Sequence, residues 1–248
     1  MARLVAENLS LVFPLYGRSP MSQADRNDER VIHAESGRIL GVKALRDISF
    51  ELSEGDRLAI VGHNGSGKTT LLQILAGIVA PDTGRVVRSG RVANLININL
   101  GLQGEASGHR NITLRGLAAG RSVAEIEGRR ADIVEFCGLG EFLDLPVMTY
   151  SSGMRMRLNF SIATAFEADV LILDEWLSTG DAAFREKASE RLKQFASVAG
   201  IIVVATHSRW VVENICTKVL WLEGGQVKAF GTASDVAARW VGAKIAPI

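Results

Sequence analysis

The chain has little of what marks several whole classes of protein. Of its 248 residues only 2 are cysteine, Cys137 and Cys216. They do not form a CxxC pair, which argues against a zinc site or a disulfide scaffold and suits a reducing compartment. Long apolar runs are missing too: the longest is Ile201 to Ala205, where ~18 residues are needed to span a bilayer. The opening MARLVAENLS lacks the apolar core of a secretory signal. The chain is therefore expected neither to span a membrane nor to be secreted by that route. Nor is there an excess of one charge. Lys and Arg number 28 and Asp and Glu 27, a net charge of +1, so there is no global field for nucleic acid or anionic lipid. No nucleic-acid partner is expected, and there is no internal repeat. What is present is a globular composition, 47% hydrophobic and 22% charged. At ~150 residues per domain, the length fits one large domain or one domain with an attached subdomain.

Short apolar runs alternate with helical stretches. Leu58 to Val61, Val170 to Leu173 and Ile201 to Ala205 are too short for helices and are bounded by polar residues or glycine, the pattern of a parallel sheet in an α/β fold. Other pieces look antiparallel: Arg3 to Phe13, Ile48 to Leu52, and a hairpin in which Gly224-Gly225 joins VLWLE to QVKAF. These predict a smaller β-subdomain. Between Asn111 and Leu145 the period becomes helical, with Ser122 and Glu125 spaced as a capping box and Gly138 as a stop. Residues 18–38 hold eight charges, four of each sign, without apolar period, and read as a polar loop or a partly disordered excursion. The expected division is a core with β-subdomain over 3–96 and 168–233, a helical subdomain over 97–167, and a polar insertion at 18–38.

The strongest local signal is Gly62-His63-Asn64-Gly65-Ser66-Gly67-Lys68-Thr69, which fits G-x-x-x-x-G-K-[ST] between a strand, RLAIV, and a helix, TLLQILAG. Glycines let successive backbone N–H groups turn inward around a β-phosphate, and the helix N-terminus adds its partial positive charge there. Lys68 is expected to reach the β- and γ-oxygens and Thr69 to ligate Mg²⁺, with Thr70 following in the same site. His63 reads as a tolerated x position rather than a catalyst. A second signal is ADVLILDEW, where an apolar strand delivers Asp174 and Glu175 to its C-terminal edge, the place where open α/β sheets carry out ligand chemistry. Asp174 suits a Mg²⁺ ligand, direct or through water, and Glu175 is suited to polarise the water that attacks the γ-phosphorus.

Many enzymes share that loop, and the discrimination lies in YSSGMRMRLNFSIATAF. Tyr150-Ser151-Ser152-Gly153-Met154 sits where ATP-binding cassette proteins carry their signature, usually LSGGQ. The order of loop, signature, DE strand and a histidine after the next strand resembles that family over residues 3 to 235. The resemblance implies an α/β fold: a P-loop ABC ATPase core with an antiparallel β-subdomain and an inserted helical signature subdomain. It further implies ATP and Mg²⁺ as cofactors and a head-to-tail dimer with a second copy, in which Ser151 and the Gly153 N–H complete the partner's ATP site. Asp181, in LSTGD, matches the terminal Asp of the D-loop. His207, in VVATHS, matches the switch histidine, although a lone histidine after a strand is more often structural. Phe13 aligns with the aromatic that stacks on adenine in many members and is equally placed to be a core residue of the β-subdomain. The family's Q-loop glutamine falls near Asn99, whereas the nearest actual glutamine is Gln103. Either one is the candidate for the γ-phosphate, its metal and the membrane partner, and both stay open. Ser152 and Met154 depart from the usual glycine and glutamine of the signature.

Those departures are similar to a subgroup. FPLYG followed by a polar insertion, LGLQGEASGHRNI, TYSSGMRMRL and DEWLSTGDAAFREKA resemble the ATP-binding subunits that export cell-surface polysaccharides of the O-antigen, capsule or teichoic acid type on lipid carriers. The resemblance implies a separate transmembrane permease, a lipid-linked polysaccharide handled through it, docking around Asn99 to Asn111, and a place on the cytoplasmic face of the membrane. Some relatives carry a C-terminal sugar-binding domain; the chain ends soon after its hairpin, so none is expected. Two alternatives are an ABC ATPase for another transported cargo and a soluble ABC ATPase that acts on nucleic acid or ribosomes. The near-zero charge and single cassette weigh against the second.

Overall fold

The computed structural model describes residues 1–15, 28–34, 38–96, 101–174 and 182–245. The chain divides into two compact units, Met1–Gly90 with Gly200–Ile248, and Arg91–Ala199. The second is longer than the helical part read from the sequence, because it also takes in two strands and the long helix that follows them.

The first unit holds two groups of strands. One is a four-stranded antiparallel sheet, formed by β1 (Arg3–Pro14), β2 (Val31–His33), β3 (Ile39–Ser53) and β5 (Thr83–Ser89) in the order β2-β3-β1-β5. Its period is that of a half-buried sheet: Ile48, Phe50 and Leu52 are buried, while Ser49, Glu51 and Ser53 between them are exposed. Within segment 18–38, read from the sequence as a polar loop or a partly disordered excursion, residues 31–33 form a strand. Val31 and Ile32 pair with Val42 and Gly41 of β3, two adjacent apolar residues being enough to add a strand where the surrounding charges hid the signal.

The other group is β4 (Arg57–Val61), β8 (Ile201–Ala205), β9 (Lys218–Glu223) and β10 (Gln226–Thr232), in the order β10-β9-β4-β8. β4 runs parallel to both neighbours, and β10 folds back on β9 through the Gly224-Gly225 turn. β8 is buried along its whole length, which explains its unbroken apolar sequence. The helix after β4, α1 (Lys68–Ala76), buries Leu71, Leu72, Ile74 and Leu75 completely. Each is worth about 1.5–3 kcal/mol relative to exposure. Two helices complete this unit, α6 (Arg209–Asn214) and α7 (Ala233–Ile245).

In the second unit β6 (Val92–Leu95) runs parallel to β7 (Val170–Asp174), with Leu95 opposite Leu173. Its helices are α2 (Gly108–Ala118), α3 (Val123–Cys137), α4 (Ser152–Ala163) and α5 (Ala182–Val198). The capping box read from the sequence is present: the Ser122 N–H donates to Glu125 at 2.8 Å, and the Glu125 N–H donates to Ser122 Oγ at 3.3 Å. Gly138 ends α3 in the left-handed conformation. Helices α2 and α3 approach so closely at Gly116 that a Cβ there would lie 2.5 Å from Ile126. The core joins Ile112, Ile126, Ile133, Leu143, Leu158 and Tyr150, and Phe136, Phe160 and Phe184 form an aromatic cluster with ring centroids 5.7–6.0 Å apart. Both cysteines are free and buried, and burial pushes the Cys216 thiol up to about 12. Among the described residues no helix is long and apolar enough to cross a membrane.

Candidate functional site

Strand β4 ends at Val61 and α1 begins at Lys68, so residues 62–67 form a tight loop between them. Three of its glycines, Gly62, Gly65 and Gly67, have positive φ of 153°, 76° and 103°. At Gly62 a Cβ would lie 2.3 Å from the Leu222 carbonyl oxygen, and at Gly67 it would lie 2.8 Å from that of Ala44. The loop thus needs glycine both for its backbone angles and for its close approach to neighbouring strands. Helix α1 starts without a side-chain cap, its N-cap being Gly67 in the left-handed conformation. An uncapped helix start presents N–H groups and a partial positive charge to an anion. Ser66 is fully buried and its hydroxyl has no hydrogen-bond partner among the described residues, a cost of about 1–3 kcal/mol that a ligand oxygen would relieve. The nearly buried Lys68 ammonium donates to the carbonyls of Gly62 and His63, each at 3.0 Å. His63 is exposed and its ring contacts the neighbouring Asn64 carbonyl at 2.6 Å.

The loop's outer wall comes from residues far away in the sequence. The Gly225 N–H donates to the Ser66 carbonyl at 3.2 Å, and Arg46 donates through its backbone N–H to Gly225 at 2.8 Å and through its side chain to Gly224 at 3.2 Å. Arg30 donates to the Gly65 carbonyl at 2.9 Å. Sequence reading missed these roles. Arg30 and Arg46 carry no local motif, and Gly225 was legible only as a turn residue. At the neighbouring strand, Ile60 of β4 stands opposite Ala205 of β8, and the Thr206 N–H donates to Ile60 at 3.2 Å. This register brings the start of the glycine loop and the exposed His207 to the same edge of two parallel strands.

In the second unit Asp174 ends β7 and is partly exposed. After β6 the described chain resumes at Gly101, and its next turn is organised by Asn111. That fully buried amide accepts from the Gln103 N–H at 2.7 Å and donates to the carbonyls of Gln103, Ala106 and Ser107 at 3.0–3.1 Å. Asn111 was visible only as part of SGHRNI; its role is to fix the loop that presents the exposed Gln103. Ser151 is the N-cap of α4, its Oγ accepting from the Met154 N–H at 3.2 Å. The preceding Tyr150 is buried and anchors the turn by donating to the Phe142 carbonyl at 2.5 Å. A shallow hollow of about 460 Å³ at this helix start is lined by residues that include Ser151, Gly153, Met154 and Arg157.

Phe13 pairs with Val42 on the antiparallel sheet and is 44% exposed, so it is available to a ring and is not a core residue. Thr69 and Thr70 lie in the first turn of α1, Thr69 exposed and Thr70 partly so. Asn99, Glu175 and Asp181 lie outside the described residues. Among the described residues no three His, Cys, Asp or Glu side chains cluster as a metal site.

The chain is similar to known proteins. The chain is 41% identical over 233 residues to the O-antigen export system ATP-binding protein RfbE of Yersinia enterocolitica, covering 92% of this chain and 97% of that protein. It is 38% identical over 197 residues to the teichoic acids export ATP-binding protein TagH of Listeria monocytogenes, covering 79% of this chain and 58% of that protein. Here the chain spans less than two thirds of its relative. Its fold is similar to that of a solved ATP-binding subunit of an ABC transporter, with a TM-score of 0.69 at 24% identity over 98% of this chain and 95% of that one. It is also similar to an ATP-binding cassette solved as a dimer in a post-hydrolysis state with ADP and Pi, with a TM-score of 0.66 at 19% identity over 93% and 98%. The family model described as ABC transporter matches residues 45–178, more than half of the chain, and with the glycine loop, the SSGM helix and the Asp174 strand in their order, the chain belongs to the ABC transporter family.

Proposed function

We propose that this chain is the ATP-hydrolysing subunit of a transporter that exports a lipid-linked cell-surface polysaccharide, of the O-antigen, capsule or teichoic acid type, across the cytoplasmic membrane. The observation that carries the cargo is the 41% identity to an O-antigen export ATP-binding protein over nearly the whole of both chains. The ATP chemistry is supported by the uncapped, glycine-started α1 with the buried Lys68 beneath it.

In this reading the loop 62–69 holds the β- and γ-phosphates, with backbone N–H groups as donors and Lys68 as the fixed cation. His207 meets the γ-phosphate from the same strand edge, and Glu175 polarises the attacking water. The proposed metal ligands supply oxygen only, a Thr69 hydroxyl, an Asp174 carboxylate and the Asn99 or Gln103 amide, and that donor chemistry fits Mg²⁺. When bound, Mg²⁺ neutralises charge on the phosphate oxygens. Ser151 and the Gly153 N–H, at the start of α4, serve the ATP of a second copy, and Asp181 and Phe13 complete the contacts to nucleotide and dimer. The loop held by Asn111 faces the permease, through which the subunit sits at the cytoplasmic face of the membrane. ATP closes the dimer and hydrolysis reopens it, so nucleotide affinity and permease state are linked reciprocally.

The test is affinity purification from native membranes, with identification of the tightest partner and of the genes beside its own. A polytopic permease encoded among glycosyltransferases is expected. A ribosomal or DNA partner would overturn the transport role and leave the ATPase standing.

A further inference from the structure

The end of the polar excursion reaches the glycine loop. Asp28 and Arg30 precede β2, and the Arg30 guanidinium is divided between two acceptors. Nε and Nη2 engage the Asp28 carboxylate in a fork at 2.5–3.0 Å, and Nη1 donates to the Gly65 carbonyl at 2.9 Å. The Arg30 N–H also donates to Asp28 at 2.9 Å, and the Arg30 carbonyl accepts from the Lys43 N–H of β3 at 2.8 Å. Both ends of this arm are therefore anchored, one to its own carboxylate and the other to the sheet.

A partly exposed ion pair of this kind adds little stability. Its effect is geometric. Both side chains keep about a quarter to a third of their exposure, but the carboxylate fixes the planar fork, so the remaining donor points in one direction. Only arginine can supply three donors in this arrangement. The acceptor is also well chosen. Gly65 has φ +76° and nothing within 4 Å of where a Cβ would stand, so the tip of the loop is not packed. The internal bond from the Ser66 N–H to the His63 carbonyl is 3.2 Å long. The Gly65 carbonyl and the Ser66 N–H belong to one planar trans peptide and point in opposite directions. Holding the Gly65 carbonyl therefore also sets the orientation of the Ser66 N–H.

We infer that Arg30, held by Asp28, is a positioning residue for nucleotide: it orders the Gly65–Ser66 peptide of the phosphate loop before ATP arrives and so sets ATP affinity. This rests on the reading of residues 62–69 as the ATP phosphate loop. Ordering one peptide in advance spares the ligand about 1–2 kcal/mol of backbone entropy, so its loss corresponds to roughly a tenfold weaker affinity.

The experiment measures MgATP affinity, KM, kcat and the nucleotide-free melting temperature of the full chain for Arg30→Ala, Arg30→Lys and Asp28→Asn, with Lys68→Ala as reference. The expected result for Arg30→Ala is a roughly tenfold rise in Kd and KM, kcat within about twofold and an unchanged nucleotide-free melting temperature, with Arg30→Lys and Asp28→Asn intermediate because each keeps part of the fork. Unchanged affinity in Arg30→Ala, beside loss of binding in Lys68→Ala, overturns the inference and leaves the phosphate loop standing. A lowered nucleotide-free melting temperature with kcat and KM both impaired, and no recovery in Arg30→Lys, overturns it in favour of a purely structural role. Full affinity in Lys68→Ala overturns the phosphate-loop reading and the inference with it.

Discussion

Helices α1 and α4 begin in opposite ways. Helix α4 begins with Ser151 in the extended conformation, its hydroxyl accepting from the Met154 N–H. In the same unit α2 and α3 are likewise capped, by Ser107 and Ser122. Helix α1 has a left-handed glycine in that place and no side-chain cap. A glycine in place of a capping side chain costs about a few tenths of a kcal/mol, and in the proposed reading an incoming phosphate supplies the acceptors. At α4 the cap uses a lone pair of the Ser151 hydroxyl and leaves its hydrogen as a donor. The Gly153 N–H, two residues into the helix, has no intrahelical acceptor by position. In the proposed reading α1 surrounds an anion, and α4 touches one from a start that is already satisfied.

The contrast breaks hardest at α1. Lys68→Ala is expected to lower ATP turnover by about a thousandfold and to weaken binding with it, whereas Glu175→Gln lowers turnover by about a hundredfold or more and retains ATP. Equilibrium binding beside phosphate release separates the two, and wild-type turnover in Glu175→Gln would remove that residue from catalysis. At α4 the expected effects divide. Ser151→Arg abolishes cooperative turnover while each monomer still binds ATP, and wild-type turnover there would sink the trans site. Ser151→Ala removes the cap, at ~1 kcal/mol, together with the hydroxyl donor, and lowers the melting temperature by about 2–4 °C without nucleotide. The smallest effect concerns pH. The Arg30 guanidinium holds the Asp28 carboxyl down to about 2 from an ordinary 3.8. Its folded value being depressed, the contribution is complete above the ordinary value and is lost as pH falls from there toward 2. The ratio of MgATP affinities between the wild type and Asp28→Asn is accordingly constant from pH 5 to 9; a ratio that varies with pH in that range would assign the titration elsewhere.

Much of this was legible in the sequence because the signals are local. The glycine loop between RLAIV and TLLQILAG, the Ser122 to Glu125 box, the Gly224-Gly225 hairpin and the apolar run of β8 each declare themselves within a dozen residues, and each stands where it was read. What stayed hidden depends on contacts between distant residues. The order of β4 between β8 and β9 brings His207 to the edge of the glycine loop, and no periodicity states that order. Asn111 shows no special spacing, yet its amide makes four bonds to one loop. In 18–38 the balanced charges masked a strand and an arginine clip, because charge counts carry no information about which side chains turn back onto the backbone.

The wall around the glycine loop also has a history in time. The motif itself is complete once Thr69 has been made, and α1 once Ala76 has. The Gly225 N–H that holds the Ser66 carbonyl, and the turn gripped by Arg46, leave the ribosome well after both. At about 5–20 residues per second, that interval is on the order of ten seconds. During it a nascent chain carries the whole phosphate motif without the wall that shapes it. The order of synthesis therefore places the motif well ahead of the distant residues that hold its loop in shape.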